Sequence, residues 1–194
     1  MNTNPHYTID DEGARIGYPD VDLRSERKIA LFGDSYCMSR EVDDNQTIGW
    51  HLGKLSREEV KNYGVGGYGL DQAYLRLKAK LAYNINNEGL TDIFFIITPY
   101  TIARTVSVYR HYLEPGNIFA VKPRMIISGE GVLSVVPSPL QKKNDLKSLK
   151  KFADYFRKWD PHYKNKAWLI GDKTDYYNEY WNEEKKLFFL IRDF

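Results

Sequence analysis

Apolar residues fall along the chain in short blocks that switch between two periods. Ile29-Ala-Leu-Phe32 is a continuous apolar run after Lys28, and it stops at Gly33-Asp34-Ser35. That is the pattern of a buried strand that ends abruptly and presents a serine. Trp50, Leu52 and Leu55 then recur among polar neighbours, which predicts a helix preceded by Thr47. Arg57 to Tyr63 returns as a short second strand. Leu70, Tyr74, Leu77, Leu81 and Ile85 follow at spacings of three and four, so a helix with one apolar face is expected there, ended by Asn86, Asn87 and Gly89. Within Thr91 to Thr98, the unbroken run Ile93-Phe-Phe-Ile-Ile97 predicts a strand covered on both faces, as in a parallel sheet.

Strand, helix, strand, helix, strand implies an α/β layered fold, in which functional groups gather outside the carboxyl ends of the strands. Ser35, the loop Gly64-Val-Gly-Gly-Tyr-Gly69 and Pro99 to Arg104 all fall at such ends. Residues 1–27 are polar and turn-rich, which predicts a surface arm with little regular structure. Within 113–140, Met125 to Ser128, the turn Gly129-Glu-Gly131 and Val132 to Val136 describe a β-hairpin inserted on the domain. In the C-terminal region, 141–194, Asn144 is expected to cap a helix with Leu146, Leu149, Phe152, Ala153 and Phe156 inward. A Trp- and Tyr-rich stretch follows, and Asp175 to Phe194 is expected to be helical again. Ala167 to Ile170 offers a further strand. With no repeat and no linker, 1–194 is expected to be a single domain.

Composition narrows the function classes. A formal net charge of +2 with scattered basic residues calls for neither nucleic acid nor a membrane surface. The series Lys142-Lys143, Lys147, Lys150-Lys151 is a solvated helix face by its spacing. Cys37 is the only cysteine, which excludes an intramolecular disulfide and a cysteine-rich metal site. A cytoplasmic or otherwise reducing setting is expected, since no secretory signal or membrane-spanning run is visible. No cofactor or metal is expected. The four glycines of Gly64 to Gly69 are taken as a turn that opens a helix rather than as a dinucleotide fingerprint.

The chemistry centres on Ser35. A serine on a turn after a buried strand exposes its hydroxyl and aims its amide at a reacting oxygen, two parts of an acyl-transfer site. Asn62, at the end of the second strand, and Gly67 stand where a second amide donor is needed.

These blocks resemble the SGNH/GDSL hydrolase superfamily of serine esterases, lipases and acyl-transferring relatives, over about residues 8 to 140. Gly33-Asp34-Ser35 matches its first block, with Ser35 in the nucleophile's place; Asn62 and Gly67 match its second, with Gly67 as the oxyanion-hole glycine. Asp11 to Arg15, Asp43 to Thr47, Gly69 to Gln72, Ile102 to Arg104, Tyr109-Arg110 and Lys122 to Arg124 look like one bacterial branch. The resemblance implies a flavodoxin-like α/β/α sandwich around a parallel sheet. It also implies a serine ester hydrolase or acyl transferase acting on a small or carbohydrate-linked ester.

Two blocks depart from the family. The third normally brings an oxyanion Asn, but here it is Thr98-Pro-Tyr-Thr-Ile-Ala-Arg104, in which Thr98, Tyr100 or Thr101 offers a hydroxyl instead. The last, Asp-x-x-His, does not occur. On chain order, His162, after Asp160 and Pro161, is the substitute base; His6, His51 and His111 are the remaining histidines. Alternatively the base comes from another chain, residues 141–194 have been rebuilt, or the chain is a truncated relative. A non-catalytic domain that binds a glycan or a protein partner is the second reading. A homo-oligomer built through an exposed sheet edge is the third.

Overall fold

The computed structural model describes residues 5–22, 24–83, 90–109, 121–142, 145 and 149–160. The chain gathers into two compact units, Met1–Thr101 and Ile102–Phe194.

The first unit is mixed α/β. Its strands are β1 (Lys28–Gly33), β2 (Glu59–Asn62) and β3 (Leu90–Ile96), in the order β2-β1-β3 and all parallel. Ile29 pairs with Val60 on one side and Asp92 on the other, so β1 is the central strand. Its alternating side chains feed two apolar clusters. Ala30 and Phe32 pack with Ala14, Tyr63, Ala73 and Leu77. Ile29 and Leu31 pack with Cys37 and Val60, joined by Leu52 and Ile96. Period-two alternation in a strand flanked by two others produces this division, and it explains why an unbroken apolar run is buried on both faces.

The helices of this unit are α1 (Ser35–Met38), α2 (Ile48–Ser56) and α3 (Leu70–Tyr83). Thr47 caps α2 by accepting from the Trp50 N–H, and Asp43 with Gln46 forms a capping box on the 3-10 turn Asp44–Gln46. Leu55 lies on the outer side of α2 and is 86% exposed. For α3, Leu70, Ala73 and Leu77 are buried, whereas Leu81 is exposed. Ile85, Asn86, Asn87 and Gly89 lie outside the described residues.

Two expectations change. Strand β3 is not covered on both faces: Ile93 and Phe94 are exposed, because among the described residues β3 pairs only with β1. Pro99 to Arg104 lies in helix α4 (Pro99–Val106). Thr98 and Thr101 form its capping box, the Thr101 N–H donating to Thr98 Oγ1 and the Thr98 N–H to Thr101 Oγ1, with Pro99 at the first helical position, where no N–H is needed. The arm has little regular structure, yet it does not merely lie on the surface. Its residue Arg15 bridges to Asn62, and Ala14 and Arg15 are fully buried.

In the second unit, β4 (Arg124–Ile127) and β5 (Leu133–Val136) form an antiparallel hairpin. Its turn closes through Gly131 N–H to Ser128 O, with Gly131 at φ 79°. Helix α5 (Leu149–Trp159) stacks Phe156 on Tyr109 at 4.6 Å. Its terminal neighbour Asp160 is fully buried and accepts from Ser107 Oγ and the Val108 and Tyr109 N–H groups. Asn144, Leu146, Ala167 to Ile170 and Asp175 to Phe194 lie outside the described residues. Among the described residues no helix is long and apolar enough to cross a membrane.

Candidate active site

The site begins where β1 ends. Gly33 is forced by its surroundings: a Cβ there would meet Cys37 Cβ and the Ile96 carbonyl oxygen at 2.7 Å each. Asp34 follows as the N-cap of α1, its Oδ1 accepting from the Tyr36 N–H at 2.9 Å. Ser35 is the first residue of that helix and is half-buried. Its hydroxyl and its amide make no hydrogen bond among the described residues.

Asp34 is fully buried, and its Oδ2 receives two hydroxyls, Thr98 Oγ1 at 3.1 Å and Thr101 Oγ1 at 3.0 Å. Those hydroxyl oxygens are 2.9 Å apart, and each also accepts the other residue's backbone N–H. A hydroxyl has one proton, and a carboxylate attracts it more strongly than a neighbouring hydroxyl does. Both protons are therefore committed to Asp34. This changes the part expected of Thr98 and Thr101: they brace the acid beside the serine and have no proton left for an oxyanion. Tyr100 is exposed.

Asn62, at the end of β2, is buried and holds the other side of the turn. Its Nδ2 donates to the Cys37 carbonyl at 2.8 Å, and its Oδ1 accepts from the Gly64 N–H at 3.0 Å. The glycine loop is thereby tied to α1. Gly64 sits against the Cys37–Met38 backbone so closely that a Cβ there would collide with Met38 N, and the Val65 N–H donates to the Gly33 carbonyl at 3.1 Å. Val65 to Tyr68 make a turn closed by Tyr68 N–H to Val65 O, with Gly67 at φ 82° in the position where a type II turn needs positive φ. The Gly67 N–H makes no hydrogen bond among the described residues. Gly66 faces Ser35: a Cβ built on it would lie 3.9 Å from Ser35 Cβ and 4.0 Å from the Cδ and Nη1 atoms of Arg40.

Gly64, Gly66 and Gly69 do fall at the spacing Gly-x-Gly-x-x-Gly between a strand and a helix, so spacing alone does not set this loop apart from a dinucleotide fingerprint. The geometry does. The close approach at Gly64 is filled by the protein's own backbone, and the positive φ belongs to Gly67, which lies between the last two glycines of that spacing.

Burial dominates Cys37. Its thiol is pushed up to about 12 by loss of solvent, with the Asp34 charge adding and the Gly64 N–H opposing. The thiol is therefore protonated at neutral pH and is no nucleophile.

Arg15 is the site residue that the pattern of apolar positions did not reveal. Its guanidinium donates to Asp44 Oδ1 and to the carbonyls of Met38, Ser39 and Val42, so it grips the chain leaving α1. Its place in Asp11 to Arg15, in the arm ahead of β1, was the available signal.

Imidazoles are not joined to the serine among the described residues. His51 is exposed on α2, and His6 is exposed on the arm with its Nδ1 3.9 Å from Asp44 Oδ2. His111 and His162 lie outside the described residues. Asp160, beside His162 in sequence, spends its Oδ2 on three donors within the second unit. Among the described residues no three His, Cys, Asp or Glu side chains are grouped to hold a metal ion. No family model, no curated protein and no solved structure matches this chain.

Proposed function

We propose that the chain is a serine ester hydrolase or acyl transferase of SGNH/GDSL type, built on an α/β/α sandwich and acting on a small or carbohydrate-linked ester. The observation that carries this reading is the placement of Ser35. It stands on the turn leaving the central parallel strand, its hydroxyl and amide unbonded among the described residues, and a glycine loop packs against it.

In this reading Ser35 Oγ attacks the ester carbonyl, its proton passes to a base, and the new oxyanion accepts the N–H groups of Ser35 and Gly67. The alcohol leaves, and the acyl-serine is then released to water or to an acceptor hydroxyl. Asp34 does not act as the base: it is a buried N-cap already holding Tyr36, Thr98 and Thr101. His162 is the base assigned by chain order.

Turnover of p-nitrophenyl acetate by the chain and by Ser35→Ala tests the nucleophile. Loss of turnover in the variant supports it; equal rates sink it. The second reading is a domain that binds a glycan or a protein without chemistry. Labelling of Ser35 by a fluorophosphonate probe would exclude that reading.

A further inference from the structure

We infer that Arg40 forms an anion-recognising subsite next to Ser35, and that the ester handled there carries a carboxylate, as an acidic sugar does. This rests on the hydrolase reading for the part that concerns turnover. The binding itself does not depend on it.

Arg40 is close to the serine although the two are five positions apart. Its N–H donates to the Ser35 carbonyl at 3.1 Å, which folds the chain back over α1. Its side chain then lies along Gly66, with Cδ and Nη1 each 4.0 Å from the place a Cβ would occupy, while Ser35 Cβ is 3.9 Å from that same place. These are ordinary van der Waals separations. A small group resting on Gly66 therefore touches the nucleophile on one side and the guanidinium on the other.

Arg40 also lines a second space. A cleft of about 570 Å³ is lined by Pro5, His6, Tyr7, Arg40 and Glu41. Its lining has the character of a sugar site, with an aromatic ring, a planar cation and an imidazole around an open volume. Tyr7 is exposed, and so is Tyr36 on α1.

Among the described residues the guanidinium has only a weak partner to give up. Arg40 pairs with its sequence neighbour Glu41, Nη2 to Oε1 at 2.9 Å, and the side chains are 54% and 80% exposed. A pair so solvated contributes little, so a ligand carboxylate replaces Glu41 without leaving a buried charge behind. Arginine also matches a carboxylate with two parallel N–H groups, which a lysine does not. By contrast the Arg15 guanidinium is saturated by three carbonyls and Asp44.

The test uses the full chain with two probes that differ at one group, methyl glucuronoside and methyl glucoside. Calorimetric titration into Ser35→Ala measures binding without turnover. The glucuronoside is expected to bind at least tenfold more tightly than the glucoside, and Arg40→Ala, placed in the Ser35→Ala background, is expected to abolish that preference while Arg40→Lys restores part of it. Acetate release from the O-acetylated forms of both sugars by the unmodified chain gives the second arm, with the kcat/KM ratio expected to favour the glucuronoside and to fall at least tenfold in Arg40→Ala. Equal binding of the two sugars, or a preference that survives Arg40→Ala, overturns the inference. Tighter binding of methyl glucoside 6-phosphate than of the glucuronoside overturns the carboxylate assignment. Arg40-dependent binding with no acetate release leaves the subsite standing and removes the hydrolase reading. Ser35-dependent release with no preference between the sugars does the reverse.

Discussion

Asp34 holds together the turn that carries Ser35. It is fully buried and accepts from the backbone of α1 and from two hydroxyls at the start of α4. Replacing it by Ala removes a helix cap and leaves two hydroxyls to pair with each other, so Asp34→Ala is expected to lower stability by roughly 2 kcal/mol, read as a lower urea midpoint at unchanged slope. Cys37 gives a second outcome at this scale. The thiol has an ordinary value of 9.0 and stands at about 12 in the fold, so the unfolded chain loses its proton first. The contribution is complete below pH 9 and is lost as pH rises from 9 towards 12. Stability measured across that range should fall more steeply in the parent chain than in Cys37→Ala, and the folded protein at pH 8 should resist iodoacetamide until denaturant is added.

At the scale of elements, the glycine loop is the part whose backbone conformation the chemistry needs. Three of its glycines have different duties. Gly64 makes room for the Cys37–Met38 backbone, Gly66 leaves open space beside Ser35, and Gly67 supplies positive φ. A Cβ at Gly67 costs about 1–2 kcal/mol through the left-handed conformation alone, whereas one at Gly66 fits with ordinary contacts. Gly67→Ala should therefore lower the melting temperature while Gly66→Ala leaves it close to the parent value. In the hydrolase reading, Gly66→Ala should nonetheless slow acetate release, because its methyl fills the space between the nucleophile and Arg40. Similar melting temperatures for the two variants would show that the turn is not held as described.

At the scale of the first unit as a whole, the N-terminal arm is a structural part and not an appendage. Glu12 accepts from Tyr63 Oη, and Asp10 and Glu12 accept from Lys61 Nζ on β2. Burial would lower that ammonium, but its hydrogen bonds to the two carboxylates outweigh this and hold it above the ordinary lysine value. Arg15 reaches further, from the arm to three carbonyls that follow Ser35. Cutting it to Ala leaves those part-buried acceptors without its donors and removes the ion pair to Asp44, so Arg15→Ala is expected to cost roughly 3 kcal/mol. Arg15→Lys should recover little of this, because one ammonium cannot reach the same fork of acceptors. Denaturant unfolding of the two variants checks both statements.

Local pattern settled a good deal without any tertiary information. An apolar run followed by Gly-Asp-Ser fixed β1 and its terminal serine, period-four spacing fixed α3, and the Gly129 to Gly131 turn between two apolar runs fixed the hairpin, because each depends on contacts between residues near in sequence. Long-range geometry decided the rest. Ile93 and Phe94 look fully buried from their neighbours, but their exposure depends on strand order, which no local pattern encodes. Thr98 and Thr101 look like free hydroxyls until the end of β1 is brought against them and Asp34 accepts their hydrogen bonds. Arg15 is an ordinary polar residue of an arm until the fold surrounds it with carbonyls. The sequence by itself determined roughly where β1, α2, β2 and α3 lie around Ser35; only the tertiary structure decided the helices α1 and α4 and which polar groups were already spent.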